Sequence, residues 1–248
     1  MITSSIYLKH EIGIKDLPET PRTSFRNKLY FVGIDMAPIS TLETGIAMLD
    51  RNRQLLRMEK LDDDSGILRF LKNLAPPENM IVVLDVPKSL NIPSKWRQQQ
   101  VKMHALTTLN SHEDEAQLQW SDRFADRARE FYDNANKMGI LTLNLFSPHA
   151  KLRYRLNTPY RTRSSYGCRA LQALMKQQLN IKDFPTNIAP SSVLDAMIAG
   201  YSAWLLCYGR EHTHFRLYRD DEHRLFFDPL QCWQRPIRKR DRHPKSVE

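Results

Sequence analysis

The chain has 248 residues, with 37 Lys and Arg against 28 Asp and Glu, for a formal net charge of +9. Charged residues make up 26% and aromatics 9%, which excludes a disordered or fibrous chain. The length suits one large domain, whose core would bury roughly 70–75% of the unfolded surface.

Residues 1–28 read as an extended arm with little structure of its own, polar and carrying Pro18 and Pro21. Lys9, Glu11, Lys15 and Asp16 leave no apolar run for a secretory signal. Regular structure begins with Leu29-Tyr-Phe-Val-Gly-Ile-Asp35, an apolar, β-branched run typical of a buried strand. Thr44–Asp50 predicts a second strand and Gln54–Lys60 a third, joined by the polar turn Arg51-Asn52-Arg53, so the three form an antiparallel meander. Asp62–Asp64 offers a helix N-cap, and Ile67, Leu68, Phe70, Leu71 and Leu74 give the helical stripe that Pro76 and Pro77 stop. Met80-Ile-Val-Val-Leu-Asp85 is a continuous apolar run, the signature of a strand buried on both faces.

Helices are predicted over Ser94–Leu109 and Glu113–Lys137, where Gly139 ends the second, and Ile140–Phe146 reads as another central strand. Two more helices follow over Ser165–Leu179 and Pro190–Tyr208, with Gly209 as the C-terminal cap. Short strands near Phe215–Tyr218 and Arg224–Phe227 close the domain, expected over 29–230, and 231–248 forms a basic tail. The order predicts an α/β fold: a mixed sheet of three antiparallel strands leading into parallel crossovers, with helices on both faces.

The charge is unevenly distributed. From Ala150 to Lys176 stand Lys151, Arg153, Arg155, Arg161, Arg163, Arg169 and Lys176, with no acidic residue. The last eighteen residues add six bases against Asp241 and Glu248, so the two segments carry +11 and the rest of the chain −2. Such clustering points to a polyanion, DNA or RNA. Tyr154, Tyr160 and Tyr166 lie among the arginines, where arginines would pair with phosphates and tyrosines would stack on unpaired bases. The bland alternative packs the tyrosines inward and lets the arginines snorkel out.

Asp35 and Asp85 end predicted buried strands, where α/β folds place their ligands. Asp195 lies in the first turn of the last long helix, and Ser192-Val-Leu-Asp195 also matches a capping box. Grouped carboxylates on a rigid sheet suit Mg²⁺ (or Mn²⁺), a hard ion that takes oxygen ligands. Two such ions activate water and stabilise the leaving oxygen of a phosphodiester. Each aspartate alone reads equally as a turn or cap residue.

Phe31-Val-Gly-Ile-Asp35 followed by Thr44-Gly-Ile-Ala-Met-Leu resembles the opening strands of the RNase H-like superfamily, and of RuvC-type Holliday-junction resolvases in particular. Asp195-Ala-Met-Ile-Ala-Gly-Tyr-Ser-Ala resembles their final helix. Val83-Leu-Asp85-Val-Pro-Lys-Ser-Leu with Trp96-Arg97, and Arg169-Ala-Leu-Gln-Ala-Leu after a basic segment, are similar to an uncharacterised family of predicted RNase H-like nucleases. The resemblance spans about residues 29–230 and implies a metal-dependent nuclease: Asp35 and Asp195 as metal ligands, Asp85 bridging, and Lys151, Arg153, Arg155, Arg161, Arg163 and Arg169 on the nucleic-acid backbone. Two departures stand out. Ser191 and Ser192 occupy the place of a fourth carboxylate, and Asp85 stands where RuvC-type sites often have Glu. The missing fourth carboxylate favours a second expectation, a nucleic-acid-binding protein that keeps the fold without efficient cleavage, whereas the three aspartates retained favour the nuclease.

Other sites are weaker. A Gly-Ile-Asp strand also opens actin-like kinases and ATPases, but the eight glycines are never clustered as phosphate loops require. His212 and His214 read as exposed histidines rather than metal ligands, and Ser111–Glu115 as a helix N-terminus. Cys168, Cys207 and Cys232 include no CxxC pair, which fits a reducing cytosol. Ala196–Gly209, at 14 residues, is short of the about 20 that a spanning helix needs. The expectation is a cytoplasmic protein with no membrane partner, and the sequence sets no oligomeric state.

Overall fold

Alternation decides which face of a sheet each strand residue takes. Phe31, Gly33 and Asp35 share one parity, and Val32 and Ile34 the other. The computed structural model, which describes residues 10–13, 28–38, 42–86, 112–161, 163–209, 215–219 and 224–232, turns that alternation into two cores.

The strands are β1 (His10–Gly13), β2 (Tyr30–Asp35), β3 (Thr44–Asp50), β4 (Leu55–Leu61), β5 (Met80–Asp85), β6 (Leu141–Leu145), β7 (Phe215–Arg219) and β8 (Leu225–Cys232). The helices are α1 (Asp64–Leu74), α2 (His112–Lys137), α3 (Ser147–Arg153), α4 (Ser165–Leu179) and α5 (Ser191–Tyr208). The strands form one sheet in the order β1-β7-β8-β6-β5-β2-β3-β4. β2, β3 and β4 are the expected antiparallel meander, and β2, β5, β6 and β8 run parallel. The fold is the α/β mixed sheet that the element order predicts, three antiparallel strands leading into parallel ones with helices on both faces.

Local chemistry fixes the turns. Asp50 Oδ1 accepts the amides of Asn52 (2.7 Å) and Gln54 (2.8 Å), closing the β3–β4 hairpin. Asp63 caps α1 by accepting the Gly66 amide at 2.6 Å. One core lies between the sheet and α3, α4 and α5, built on Phe31, Ala47, Ile81, Val83, Leu143 and the apolar length of α5. The other packs α1 and α2 against Val32, Ile34, Met80, Val82 and Leu84 through Ile67, Leu71, Ala128 and Phe131. Cys168 and Cys207 are buried thiols. Among the described residues no helix is long and apolar enough to cross a membrane.

Three elements differ from expectation. His10–Gly13, read as arm, pairs antiparallel with β7 as an edge strand, supplied with its hydrogen bonds by a partner about 200 residues away. β8 runs to Cys232, past the boundary expected at 230. The short helix α3 was not expected at all. The predicted helix over 94–109, the Trp96-Arg97 motif, His212 and His214, and most of the basic tail lie outside the described residues.

The closest packing is backbone on backbone. A Cβ added to Gly33 would sit 1.8 Å from the Ala196 carbonyl oxygen and 2.4 Å from the Gly200 nitrogen. One added to Gly45 would sit 2.3 Å from the Ser192 carbonyl carbon. A glycine inside a strand marks such an approach. Gly33→Ala should therefore destabilise the fold by about 3 kcal/mol, the upper part of the range for overpacked interiors, seen as a lower urea midpoint at unchanged m-value. A variant as stable as the wild type would mean that α5 lifts from the sheet without loss.

Candidate active site

Asp35 and Asp85 are register partners on the adjacent parallel strands β2 and β5. Paired residues of neighbouring strands face the same side of a sheet, here the side that α5 covers. Gly45 is the cross-strand partner of Asp35 on β3, and its bare Cα lets the first turn of α5 settle directly above. That contact carries Asp195 to the same place. The three aspartates line one cleft of about 650 Å³, together with Ser147, Ser191, Ser192 and Arg163.

Each carboxylate is held differently. Asp85 is 8% exposed, and its Oδ1 accepts the backbone amide of Ser147 at 2.8 Å. That amide belongs to the first turn of α3, the helix that follows β6. Asp195 meets Lys151 of α3, with Nζ 2.7 Å from Oδ1. Lys151 is kept there because Tyr154, one turn on, shares a 2.9 Å hydrogen bond with Ser202 of α5. Asp35 ends β2, and the chain beyond it is tied by Arg127, whose Nη1 donates to the Ala37 carbonyl while Nε donates to Asp64 Oδ1 at 3.0 Å.

Burial pushes the Asp35 carboxyl well above the usual carboxylate range, and the charges of Asp85 and Asp195 push it further, against Lys151 and Arg163. Asp85 is pushed up to about 7, first by burial and then by Asp195, against the hydrogen bonds from Ser147. Asp195 is also raised by burial, with Lys151 as the main opposing influence. These are interacting sites, so the three titrate as a set. Among the described residues no three His, Cys, Asp or Glu side chains stand close enough to hold one ion. The donor chemistry is nevertheless that of a hard-cation site, three crowded carboxylates short of positive charge.

The predicted residues do not all stay together. Asp35, Asp85 and Asp195 converge, while Lys151 leaves the nucleic-acid-facing set for its ion pair with Asp195. Arg153, Arg155, Arg161, Arg163 and Arg169 are exposed, and Arg163 reaches the cleft. No side chain caps α5, whose N-cap is Pro190, so Ser192 and Asp195 do not form a capping box. Tyr154 is core, whereas Tyr160 and Tyr166 are exposed. Sequence reasoning missed the Ser147 amide and the pairing of His149 with Asp228, whose carboxylate oxygens both lie 3.2 Å from Nδ1. Ser147-Pro148, with Pro in the first turn, was the signal for α3 that announces both.

No family model matches the chain, and no curated protein matches it. Among solved structures, the chain is similar to Thermus thermophilus RuvC in complex with a Holliday junction substrate. The identity is 14%, over 71% of this chain and 94% of that one, with a TM-score of 0.40. A second Thermus thermophilus RuvC structure is 14% identical over 73% of this chain and 98% of that one, with a TM-score of 0.39.

The raised carboxylates set a pH dependence. An unfolded Asp titrates near about 3.9, so between there and about 7 the folded protein binds more protons than the unfolded chain. Metal-free stability should therefore be greatest below that window and fall as pH rises through it. Asp85→Asn keeps an oxygen for the Ser147 amide, removes the charge, and should raise the thermal midpoint at pH 8 by about 4 °C or more. A midpoint flat from pH 4 to 8 in the wild type would mean that water reaches all three carboxylates.

Proposed function

We propose that the protein is a divalent-metal-dependent nuclease of RNase H-like fold that hydrolyses phosphodiester bonds in DNA or RNA. On the order of its motifs we group it with the predicted nucleases it resembles. One observation carries the reading: Asp35 and Asp85 stand in register at the ends of parallel strands, and Asp195 faces the same cleft. All three carboxylates are raised, first by burial and, at Asp35 and Asp85, also by neighbouring carboxylates. Lys151 offsets one of those charges, and the remaining deficit suits a divalent ion.

Asp35 and Asp195 would hold Mg²⁺ or Mn²⁺, and Asp85 would bridge between ions. When bound, the metal activates a water and stabilises the departing oxygen of the phosphodiester. The chain's own residues do the rest. The Ser147 amide fixes the orientation of Asp85. Lys151 favours the ionised form of Asp195 against its burial and positions it. Arg163 brings positive charge to the cleft, where the substrate phosphates must approach three acids.

A second reading, a nucleic-acid-binding protein without efficient cleavage, is favoured by one observation. Ser191 and Ser192 line the cleft where a fourth carboxylate would stand. Hydroxyls there ligate a cation weakly and leave the site one charge short.

Two measurements test the proposal. Mn²⁺ in excess should stabilise the wild type through preferential binding to the folded state, by about 2.7 kcal/mol at a hundred times its Kd, seen as a higher thermal midpoint. Asp35→Asn should lose that shift and slow divalent-dependent cleavage of labelled nucleic acid by about 10²–10³-fold or more. A variant with the same Mn²⁺ shift and the same cleavage would make Asp35 a turn residue. Wild-type binding without any cleavage would select the second reading.

Affinity should also depend on salt. Each phosphate neutralised on duplex DNA contributes about 0.9 to the log–log slope, so five contacts give about −4.5. Replacing Arg153, Arg155, Arg161 and Arg163 with Gln should flatten the slope and weaken binding whatever the base sequence. Binding that ignores both salt and the replacements would reduce the basic segment to solvated surface.

A further inference from the structure

We infer that Tyr160 and Tyr166 form a stacking platform for an unpaired base beside the carboxylate cleft, so that the preferred substrate is nucleic acid with unpaired nucleotides at the cut. The inference rests on the nuclease reading for what happens in the cleft, and on separate observations for the platform.

The first observation is exposure. Tyr160 is 54% and Tyr166 72% exposed, against 9% for Tyr154, whose hydroxyl is engaged with Ser202 in the interior. Aromatic rings of this size normally bury most of their area. These two instead meet each other at the surface, with centroids 6.5 Å apart and planes tilted by 33°. That leaves ring faces turned to solvent.

The second observation is rigidity. The loop between α3 and α4 is pinned to the first turn of α4. Thr158 Oγ1 donates to the Tyr160 carbonyl at 3.3 Å, and Ser164 Oγ donates to the Arg161 carbonyl at 2.7 Å. The Gly167 amide donates back to Ser164 Oγ at 3.0 Å. A Cβ on Gly167 would lie 2.0 Å from the Arg161 carbonyl oxygen, so the loop packs straight onto the helix backbone. The backbone that carries both rings is thus set before any ligand arrives, which lowers the entropy lost on binding.

The third observation is charge. Arg161, Arg163 and Arg169 are exposed around the pair, and no acid occurs from 150 to 176. Arg163 both follows Tyr160 by three residues and lines the cleft, close enough to influence Asp35 and Asp195. A phosphodiester strand lying from the platform into the cleft would have arginines along its backbone and tyrosine faces under a base. Bases inside a duplex keep their faces stacked on each other. Only an unpaired or splayed base can use these rings.

The test is direct binding without divalent ions, so that cleavage plays no part. A labelled single-stranded oligonucleotide and the corresponding duplex are titrated by fluorescence anisotropy. Tyr160→Ala and Tyr166→Ala should each weaken single-strand binding by about 5- to 150-fold, the usual effect of losing one base stack, and leave duplex binding unchanged. Tyr160→Phe and Tyr166→Phe keep the ring and should bind as the wild type does. Independently of any variant, 2-aminopurine placed in the single strand should be quenched on binding the wild type. Equal losses on both substrates, Phe variants no better than Ala, or unquenched 2-aminopurine would overturn the platform. An Asp35-dependent cleavage that survives such a result would leave the nuclease reading standing, whereas a wild type that binds neither substrate would remove both.

Discussion

The structure depends on one close contact, the backbone of α5 lying directly on β2 and β3. Gly33 and Gly45 on the strands and Gly200 on the helix leave no side chain between them. Helix and sheet usually stand off by the thickness of their side chains. Here they do not, and the consequence is positional accuracy at the cleft. The Gly45 contact fixes the first turn of α5, and Asp195 lies one turn further along the same rigid rod. Asp35 is the next residue but one after Gly33. The same glycines that seal the core therefore set the distance between acids that come from distant parts of the chain.

Close packing also leaves the acids little solvent: Asp85 is 8% exposed, and Asp35 and Asp195 are half-buried at the cleft. Burial is the leading cause of the raised proton affinity of Asp35, Asp85 and Asp195, ahead of their mutual repulsion. A protein under selection for stability alone would not gather three carboxylates there, because each charged form loses hydration without full compensation. The compensation present is partial: one amide on Asp85 and one ammonium on Asp195. Strain of this kind, supported by packing elsewhere, is the expected signature of a working site.

The sequence made the sheet centre legible because period-two alternation and continuous apolar runs are local signals. Thr44–Asp50 and Met80–Asp85 could be bounded to the residue on that basis. The placement of Asp35 and Asp85 followed from the same reading, since both end such runs. What stayed hidden was relational. His10–Gly13 has no periodicity of its own and becomes a strand only because β7 offers an edge. Lys151 looked like one more member of a basic stretch, and only the approach of α3 to α5 turns it toward Asp195. Tyr154, Tyr160 and Tyr166 are indistinguishable by spacing. The Tyr154–Ser202 hydrogen bond selects one for the core, and the turn at Arg161 selects two for the surface.

Three acids in a cleft present a difficulty for any polyanionic substrate, since they repel the backbone they would have to act on. Distance and screening soften the repulsion in water, but Asp85 is buried and Asp35 and Asp195 are half-buried, where charges interact more strongly than in bulk solvent. The arrangement answers by asymmetry. Positive charge stands at the same cleft: Arg163 is among its lining residues, and Lys151 pairs with Asp195. On the proposed reading, a strand held by the exposed arginines would come to the acids past these positive charges. On the proposed function, the acidic sheet ends and the basic stretch from 150 to 176 would be complementary parts of one device. Without the arginines the cleft would repel a phosphate, and without the carboxylates the basic stretch would only bind nucleic acid.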